Sequence, residues 1–429
     1  MKKIIFTLCT VLLLSSCSEK TPRLAIGDFA TIDPTFSTYE DFSRYAESLD
    51  GFVANDSLAA LANPLLLQAL KDCNIPMAPQ EEIEVRAKQF QHAKNLMDSI
   101  ITIDTHCDFP ELLWEEPEEI SIDASRNNQQ VTIERMRQGH LGAQYLAFWM
   151  SPLNHDQKEE KGLEEAPEVL WEFMDKVDAH LDAHSDVCGR ARTYEEALAL
   201  KNEGKKAFFY GLENAYWIGK DISNIKKLAQ RGVTYITLSH FGDNAVCHSS
   251  NESEDPSLGL TDFGKQVVEE MNRQGIVIDL SHTSRGTCLD VLEQSKAPVV
   301  FTHSGAFGVY PNVRNVDDEI LQKLAEKGGV VQVYIVQAFM ANLGQHENVG
   351  IKEMVEHICH IVDVAGIDHV GVGLDFDGGG GGTGFRAAND AINLTLALME
   401  KGFSDEDIAK IWGGNYFRVL SEVQAIASR

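Results

Sequence analysis

The chain has 429 residues, 44% of them hydrophobic and 24% charged, with a formal net charge of −28. That length holds one large α/β barrel with a smaller extension, or two to three average domains, around a sizeable core. The acidic balance argues against nucleic acid or an anionic membrane surface as a partner.

Lys2 and Lys3 precede an apolar run, Ile4–Leu14, which closes on Leu14-Ser15-Ser16-Cys17. The run is too short to span a bilayer and reads as an export signal. The small residues directly before Cys17 resemble a bacterial lipobox, so residues 1–17 are read as a signal peptide with Cys17 the lipidated start of the mature protein. An exported lipoprotein follows, held at a periplasmic or cell-surface membrane by its lipid alone. Cys73, Cys107, Cys188, Cys247, Cys288 and Cys359 are widely spaced and contain no CxxC. Export permits disulfides, but this spacing selects no pairing.

Residues 18–95 read as an N-terminal extension. Gly27–Gly51 is polar and turn-rich, Ser57–Lys71 is an apolar helix candidate, and Glu81–Ser99 has amphipathic spacing. From Ile100 the pattern changes to an alternation of strands and helices, which sets a second unit over residues 96–429. The strand candidates are Ile100–Ile103, Gln144–Phe148, Ala207–Tyr210, Tyr235–Leu238, Ile276–Leu280, Val299–Thr302, Val330–Tyr334 and Val370–Leu374. Helical patterns fall between them at Glu164–Ala183, Asp262–Gln274, Asp317–Lys327 and Ile351–Ala365. Eight short apolar strands over about 275 residues predict a (β/α)8, TIM-like barrel, whose usual size is about 250. An open doubly wound sheet is the alternative.

Chemistry-bearing residues stand just past these strands. His106 and Asp108 follow the first, Glu213 the third, His240 the fourth, His282 and His303 the fifth and sixth, and Asp375 the eighth. Strand C-termini form the working face of such a barrel. Any one of these could be a satisfied polar residue, but seven at one end point to a metal site. The donors are nitrogen and oxygen, which suits zinc or a similar divalent ion. His106 and Asp108, at i and i+2 on an extended strand end, would serve one ion, and His282 with His303 another. Glu213 has two oxygens and can bridge them. Such paired ions, about 3.5–4 Å apart, activate water and polarise a carbonyl.

The motifs IDTHCDFP (103–110), GLEN (211–214), GVTYITLSH (232–240), IDLSH (278–282), FTHSGA (301–306), PNVRN (311–315), GIDHVGVGLDFDG (366–378) and IWGGNYFRVL (411–420) occur in order. Together they resemble the membrane (renal) dipeptidase family, zinc dipeptidases on an amidohydrolase-like barrel. The resemblance implies two Zn2+ per chain, one on His106, Asp108 and Glu213, the other on Glu213, His282 and His303. It implies that water bridging them hydrolyses the peptide bond of dipeptides, including those with a C-terminal D-residue. In that reading His240 contacts the substrate and steadies the oxyanion, Arg314 pairs with the free carboxylate, and Asp375 carries the proton. A homodimer is compatible with it. Where the family carries an Asn-Phe-Tyr type segment this chain has Tyr334-Ile335-Val336, so the aromatic hydroxyl is absent or comes from Tyr334.

Two other functions compete: another amidohydrolase, such as an acyl-amino-acid deacylase or lactonase, and a non-catalytic metal-binding lipoprotein. The HxD motif and His240 at the fourth strand favour the dipeptidase over the former, and the presence of Glu213 and Asp375 disfavours the latter. Gly379–Gly384 satisfies GxGxxG by composition alone and reads as a rim loop rather than a dinucleotide site. His357 and His360 read as part of an outer helical face.

Overall fold

The computed structural model of the protein describes residues 80–427, other than 124–128, 252, 254 and 343–348. The lipobox with Cys17, and the helix expected at Ser57–Lys71, lie outside the described residues. Of the extension, the helix Gln80–Ser99 is described. Phe90, Ala93 and Met97, at helical spacing, are its buried face, which packs on the helix Ala391–Lys401.

Ten strands make one sheet: β1 (Ile103–Asp104), β2 (Ala143–Phe148), β3 (Cys188–Arg190), β4 (Lys206–Leu212), β5 (Val233–Thr237), β6 (Val277–Asp279), β7 (Val300–Ala306), β8 (Asn315–Val316), β9 (Val330–Val333) and β10 (Val370–Val372). The order β1-β2-β4-β5-β6-β7-β9-β10 is parallel throughout. Beyond β10 the chain meets β1 again: Thr105 N–H donates to Val372 O at 3.2 Å and Asp108 N–H to Phe376 O at 2.9 Å. Those bonds bring the ends of the ring together as the expected barrel. β3 pairs with the start of β4, and β8 with the end of β7. Neither was anticipated, because strands of two or three residues carry no periodicity.

Both faces of each barrel strand are buried, as the near-continuous apolar runs require. Outward residues such as Phe208, Ile278 and Phe301 pack under the helices, while inward Tyr145, Phe209, Tyr235 and Val277 fill the barrel. Tyr416 and Phe417, from the C-terminal helix Asn415–Ala427, join that inner cluster. Tyr416 Oη donates to Tyr145 Oη at 2.7 Å, which keeps two phenols satisfied inside the packed interior.

Local signals fix where helices begin near the site. Ser284 Oγ accepts from Thr287 N–H at 3.0 Å, capping Arg285–Gln294, and Asp317 caps Asp318–Glu326 through Ile320 N–H at 3.1 Å. The first cap stands two residues after His282. The turn between strand and helix is therefore short, and the imidazole stays over the mouth of the barrel.

Candidate active site

The seven residues expected at strand ends gather at one end of the barrel, and Arg314 joins them from the loop before β8. Glu213 is the hub. His106 Nε2 lies 3.2 Å from its Oε2, whereas His282 Nε2 and His303 Nε2 lie 3.1 and 3.3 Å from its Oε1. Asp108 Oδ1 stands 3.7 Å from His106 Nε2, and the Nε2 atoms of His282 and His303 are 2.9 Å apart. Ligand atoms converge in three overlapping groups: His106 with Glu213 and His303, Glu213 with His240 and His282, and His106 with Asp108 and Asp375. His240 is set back, its Nε2 4.0 Å from Glu213 Oε1.

The strands beneath hold these groups in place. Tyr235 Oη meets His106 Nδ1 at 3.0 Å. Its ring fits because residue 211 is glycine: a Cβ there would come within 2.1 Å of Tyr235 Cζ. Behind His303, the Thr302 hydroxyl donates to Asp279 Oδ2 at 2.6 Å, so its oxygen accepts from His303 Nδ1–H at 2.9 Å. Nε2 of His303 is thereby left unprotonated and turned toward Glu213. Asp279 is itself fixed by Thr237 Oγ1 at 2.5 Å and by the N–H groups of Ser281 and Thr302 at 2.9 and 2.8 Å. Partners of this kind orient ligating imidazoles.

Two backbone features bring in the remaining groups. His282 and Asp375 adopt left-handed φ values of 64° and 62°, a conformation that residues other than glycine seldom take and that clusters at functional sites. Gly378 lets the loop after β10 close over the carboxylates. A Cβ there would sit 1.7 Å from Asp108 Oδ2 and 2.8 Å from Asp375 Oδ1.

The electrostatics of the cluster favour a cation. Burial alone would depress the pKa of His106, but the carboxylates of Glu213 and Asp108 outweigh it and hold it at about 10. His303 moves the other way, to about 3, through burial and the charge of His106. Burial works against ionised Glu213, yet His106 and His240 keep its pKa well below the carboxylate range. Burial pushes Asp108 and Asp375 up, and Glu213 adds to both shifts. The centre thus draws positive charge to itself. His106 Nε2, Asp108 Oδ1 and Glu213 Oε1 are buried there without a hydrogen-bond partner. Unpaired lone pairs on a converging nitrogen and oxygen set are what a divalent ion would satisfy, so the residues present fit a metal.

Around this centre His240 is flanked by Trp149, with ring centroids 5.1 Å apart, and by Phe241 at 4.4 Å. Arg314 is 3% exposed, and its Nη2 donates to His303 O at 3.2 Å. Tyr334 does not supply a free hydroxyl. Its Oη donates to Asn315 Oδ1 at 2.6 Å, and Asn315 Nδ2 in turn donates to the carbonyls of Tyr310 and Phe339, both at 2.8 Å. His357 is not on an outer face: it is fully buried, and its Nδ1 accepts from Ala306 N–H at 2.8 Å, pinning the end of β7. Sequence reasoning did not single out Tyr235, Asp279 or Thr302. The one available signal was that Asp279 and Thr302 sit three and one residues before a site histidine.

The family model of the membrane dipeptidases (peptidase family M19) matches residues 90–429. Dipeptidase verJ of Clonostachys rogersoniana is 32% identical over 345 residues, which is 79% of this chain and 88% of that protein. Among solved structures, the probable dipeptidase PvdM of Pseudomonas aeruginosa gives a TM-score of 0.73 at 27% identity, covering 79% of this chain and 99% of its own. A metallopeptidase of Rhodobacter sphaeroides, solved with a phosphinate mimic of the dipeptide L-Ala-D-Ala, gives 0.68 at 25% identity over 76% of this chain and 99% of that one. With a match that runs through the whole barrel, the chain belongs to the membrane dipeptidase family, peptidase family M19, and so to the metal-dependent dipeptidase-like peptidases.

Proposed function

We propose that this protein hydrolyses the peptide bond of dipeptides at a centre of two divalent cations, zinc by the nature of the donors. One observation carries the reading: three imidazoles are divided between the two oxygens of one carboxylate, His106 on Oε2 and His282 with His303 on Oε1 of Glu213. That division suits one ion held by His106, Asp108 and Glu213, and a second held by Glu213, His282 and His303. Bound there, the pair supplies Lewis acidity and lowers the pKa of water to near neutrality.

The chain's own residues do the rest. Arg314, a buried guanidinium, binds the substrate's C-terminal carboxylate and sets which way the dipeptide lies. His240, set back from Glu213, donates to the carbonyl oxygen as negative charge develops on it. Asp375, whose pKa burial raises, takes the proton from the attacking water and returns it to the leaving amine. His240 is assigned to substrate rather than metal because it stands farthest from Glu213 of the four imidazoles. Dipeptides with a C-terminal D-residue are included among the substrates, in line with the analogue bound to the Rhodobacter relative. Family membership favours this activity over the deacylase and lactonase readings. A lipid anchor on Cys17 and an exported, membrane-held location complete the proposal and rest on sequence alone; detergent partitioning of the native protein checks them.

Metal analysis with a dipeptide panel tests the core of it. The native protein is expected to hold close to two divalent ions per chain, to lose activity to a chelator and to regain it with zinc. Full activity in a chelated, metal-free protein would end the reading. The orientation has its own test. Removing a buried hydrogen bond to a charged group costs about 1.5–3 kcal/mol, or about 10- to 150-fold in kcat/KM. Arg314→Gln is therefore expected to lower kcat/KM on free dipeptides by that factor. It should also erase the preference for them over C-terminally amidated forms. A variant that keeps the preference would remove Arg314 from this role.

A further inference from the structure

A cavity of about 60 Å³ adjoins the candidate active site on the side of β6 and β7, with His282, Thr283, Ser304, Arg314 and Asn315 on its walls. Three of these carry a buried polar atom that has no hydrogen-bond partner: His282 Nδ1, Ser304 Oγ and Arg314 Nε. None of the three is a surface group, since Ser304 is 0%, Arg314 3% and His282 5% exposed. Unpaired atoms of this kind are rare in folded proteins and call for an explanation. Three around one small cavity point to a single polar guest.

The chemistry of the three atoms says which kind. Arg314 Nε–H can only donate. In the proposed function His282 Nε2, 3.1 Å from Glu213 Oε1, is given to the cation, so its Nδ1 would carry the proton and also donate. The serine hydroxyl can do either. Asp317, the carboxylate on the same wall, is already paired with Arg285 at 2.9 Å, so the two unpaired donors, one of them cationic, select an acceptor with negative charge. The Arg314 guanidinium gives one hydrogen bond to the His303 carbonyl and none to a carboxylate among the described residues. Asp375, Glu213 and Asp279 act on its charge only from a distance, so no described acceptor other than that carbonyl meets the guanidinium directly. Size is no obstacle, because a cavity of about 60 Å³ exceeds the roughly 10–15 Å³ that one water needs on the same measure and so has room for a small polar group. Ser304 is well placed for the task. β7 slips register between Phe301 and Ser304, and the Ser304 carbonyl is taken by Tyr334 N–H at 3.1 Å. The backbone there is fixed, which leaves the hydroxyl to serve the cavity.

We propose that this cavity seats the C-terminal carboxylate of the dipeptide, and that Ser304 is a second residue that binds it. The Ser304 hydroxyl donates to one carboxylate oxygen while Arg314 Nε–H donates to the other. The proposal rests on the reading of Arg314 given above and deepens it.

The experiment compares Ser304→Ala with Arg314→Gln, each assayed on a free dipeptide and on the same dipeptide amidated at its C-terminus. Ser304→Ala is expected to raise KM for the free dipeptide about 5- to 30-fold, with kcat little changed. KM for the amide, metal content and melting temperature should stay as in the native enzyme. Ser304→Thr keeps a hydroxyl and should restore most of the loss. Should Ser304→Ala fail to fold, Ser304→Cys preserves the shape with a weaker donor and is read in the same way. If Arg314→Gln erases the preference for free carboxylate but Ser304→Ala leaves KM unchanged, the cavity holds water and the inference is overturned alone. Equal loss on both substrates would make Ser304 structural and would also overturn it. If neither variant alters the preference, the carboxylate reading of Arg314 fails and this inference fails with it.

Discussion

Replacing Asp375 by asparagine is expected to lower kcat by about 10²–10⁴, the usual scale for losing a general acid/base group, while bound metal and fold persist. Asp375 follows β10 at a left-handed φ of 62° and is 8% exposed. Burial raises its proton affinity, and Glu213 adds to the effect. A carboxyl in that state is suited to receive a proton as water is split. Asparagine keeps the outline and one acceptor but cannot take the proton. KM should change less, because the contacts made by Arg314 and the metal centre survive. The competing role is ligation, since Asp375 also groups with His106 and Asp108. Ligation predicts a different result, in which metal and melting temperature fall together with activity. Metal content, thermal unfolding and steady-state kinetics on this one variant separate the two, and near-native activity would remove Asp375 from catalysis.

Glu213→Gln is expected to have the largest effect on the metal. Three imidazoles approach this one carboxylate within 3.3 Å, and both of its oxygens are engaged. Glutamine substitutes an amide for one oxygen, turning hydrogens toward a place that needs lone pairs, and removes the charge that the cations balance. Even the loss of a partner behind a ligand costs about 10- to 100-fold in metal affinity, so loss of the shared ligand should exceed that at both positions. Protein passed through gel filtration should emerge with most of both ions gone and activity lost in parallel. One ion retained at native affinity would mean that Glu213 serves a single position. Two retained ions with full activity would remove it from the centre.

The barrel was legible because its strands are buried on both faces and so read as short apolar runs. The element ends were less so. β1 lies at Ile103–Asp104, later than its apolar run suggests, and β7 extends to Ala306 through the polar His303-Ser304-Gly305. Hydrogen bonds to β8 and β9 carry it that far, and such partners leave no local signature. In the site, ligand-type residues at strand ends declared themselves by position. Arg314 did not: a loop arginine is ordinarily exposed, and only the resemblance singled it out. Tyr235, Thr302 and Asp279 were hidden for the opposite reason. Tyrosine and threonine within a strand are common strand formers, and their role appears only once the neighbouring strand supplies the partner. His357 misled because its partner, the Ala306 N–H, comes from a strand that sequence spacing could not place against its helix.

The tyrosines inside the barrel have a consequence for traffic. Tyr145, Phe209, Tyr235 and Tyr416 fill the interior below the site, so no passage leads through the barrel. In the proposed reaction, substrate, attacking water and both product amino acids would then share the doorway at the mouth of the barrel. If Arg314 seats the C-terminal carboxylate as proposed, the fragment it holds would have to leave before the next dipeptide could take that seat. Turnover would then proceed in single file, with the released C-terminal amino acid expected as a competitive inhibitor of incoming substrate.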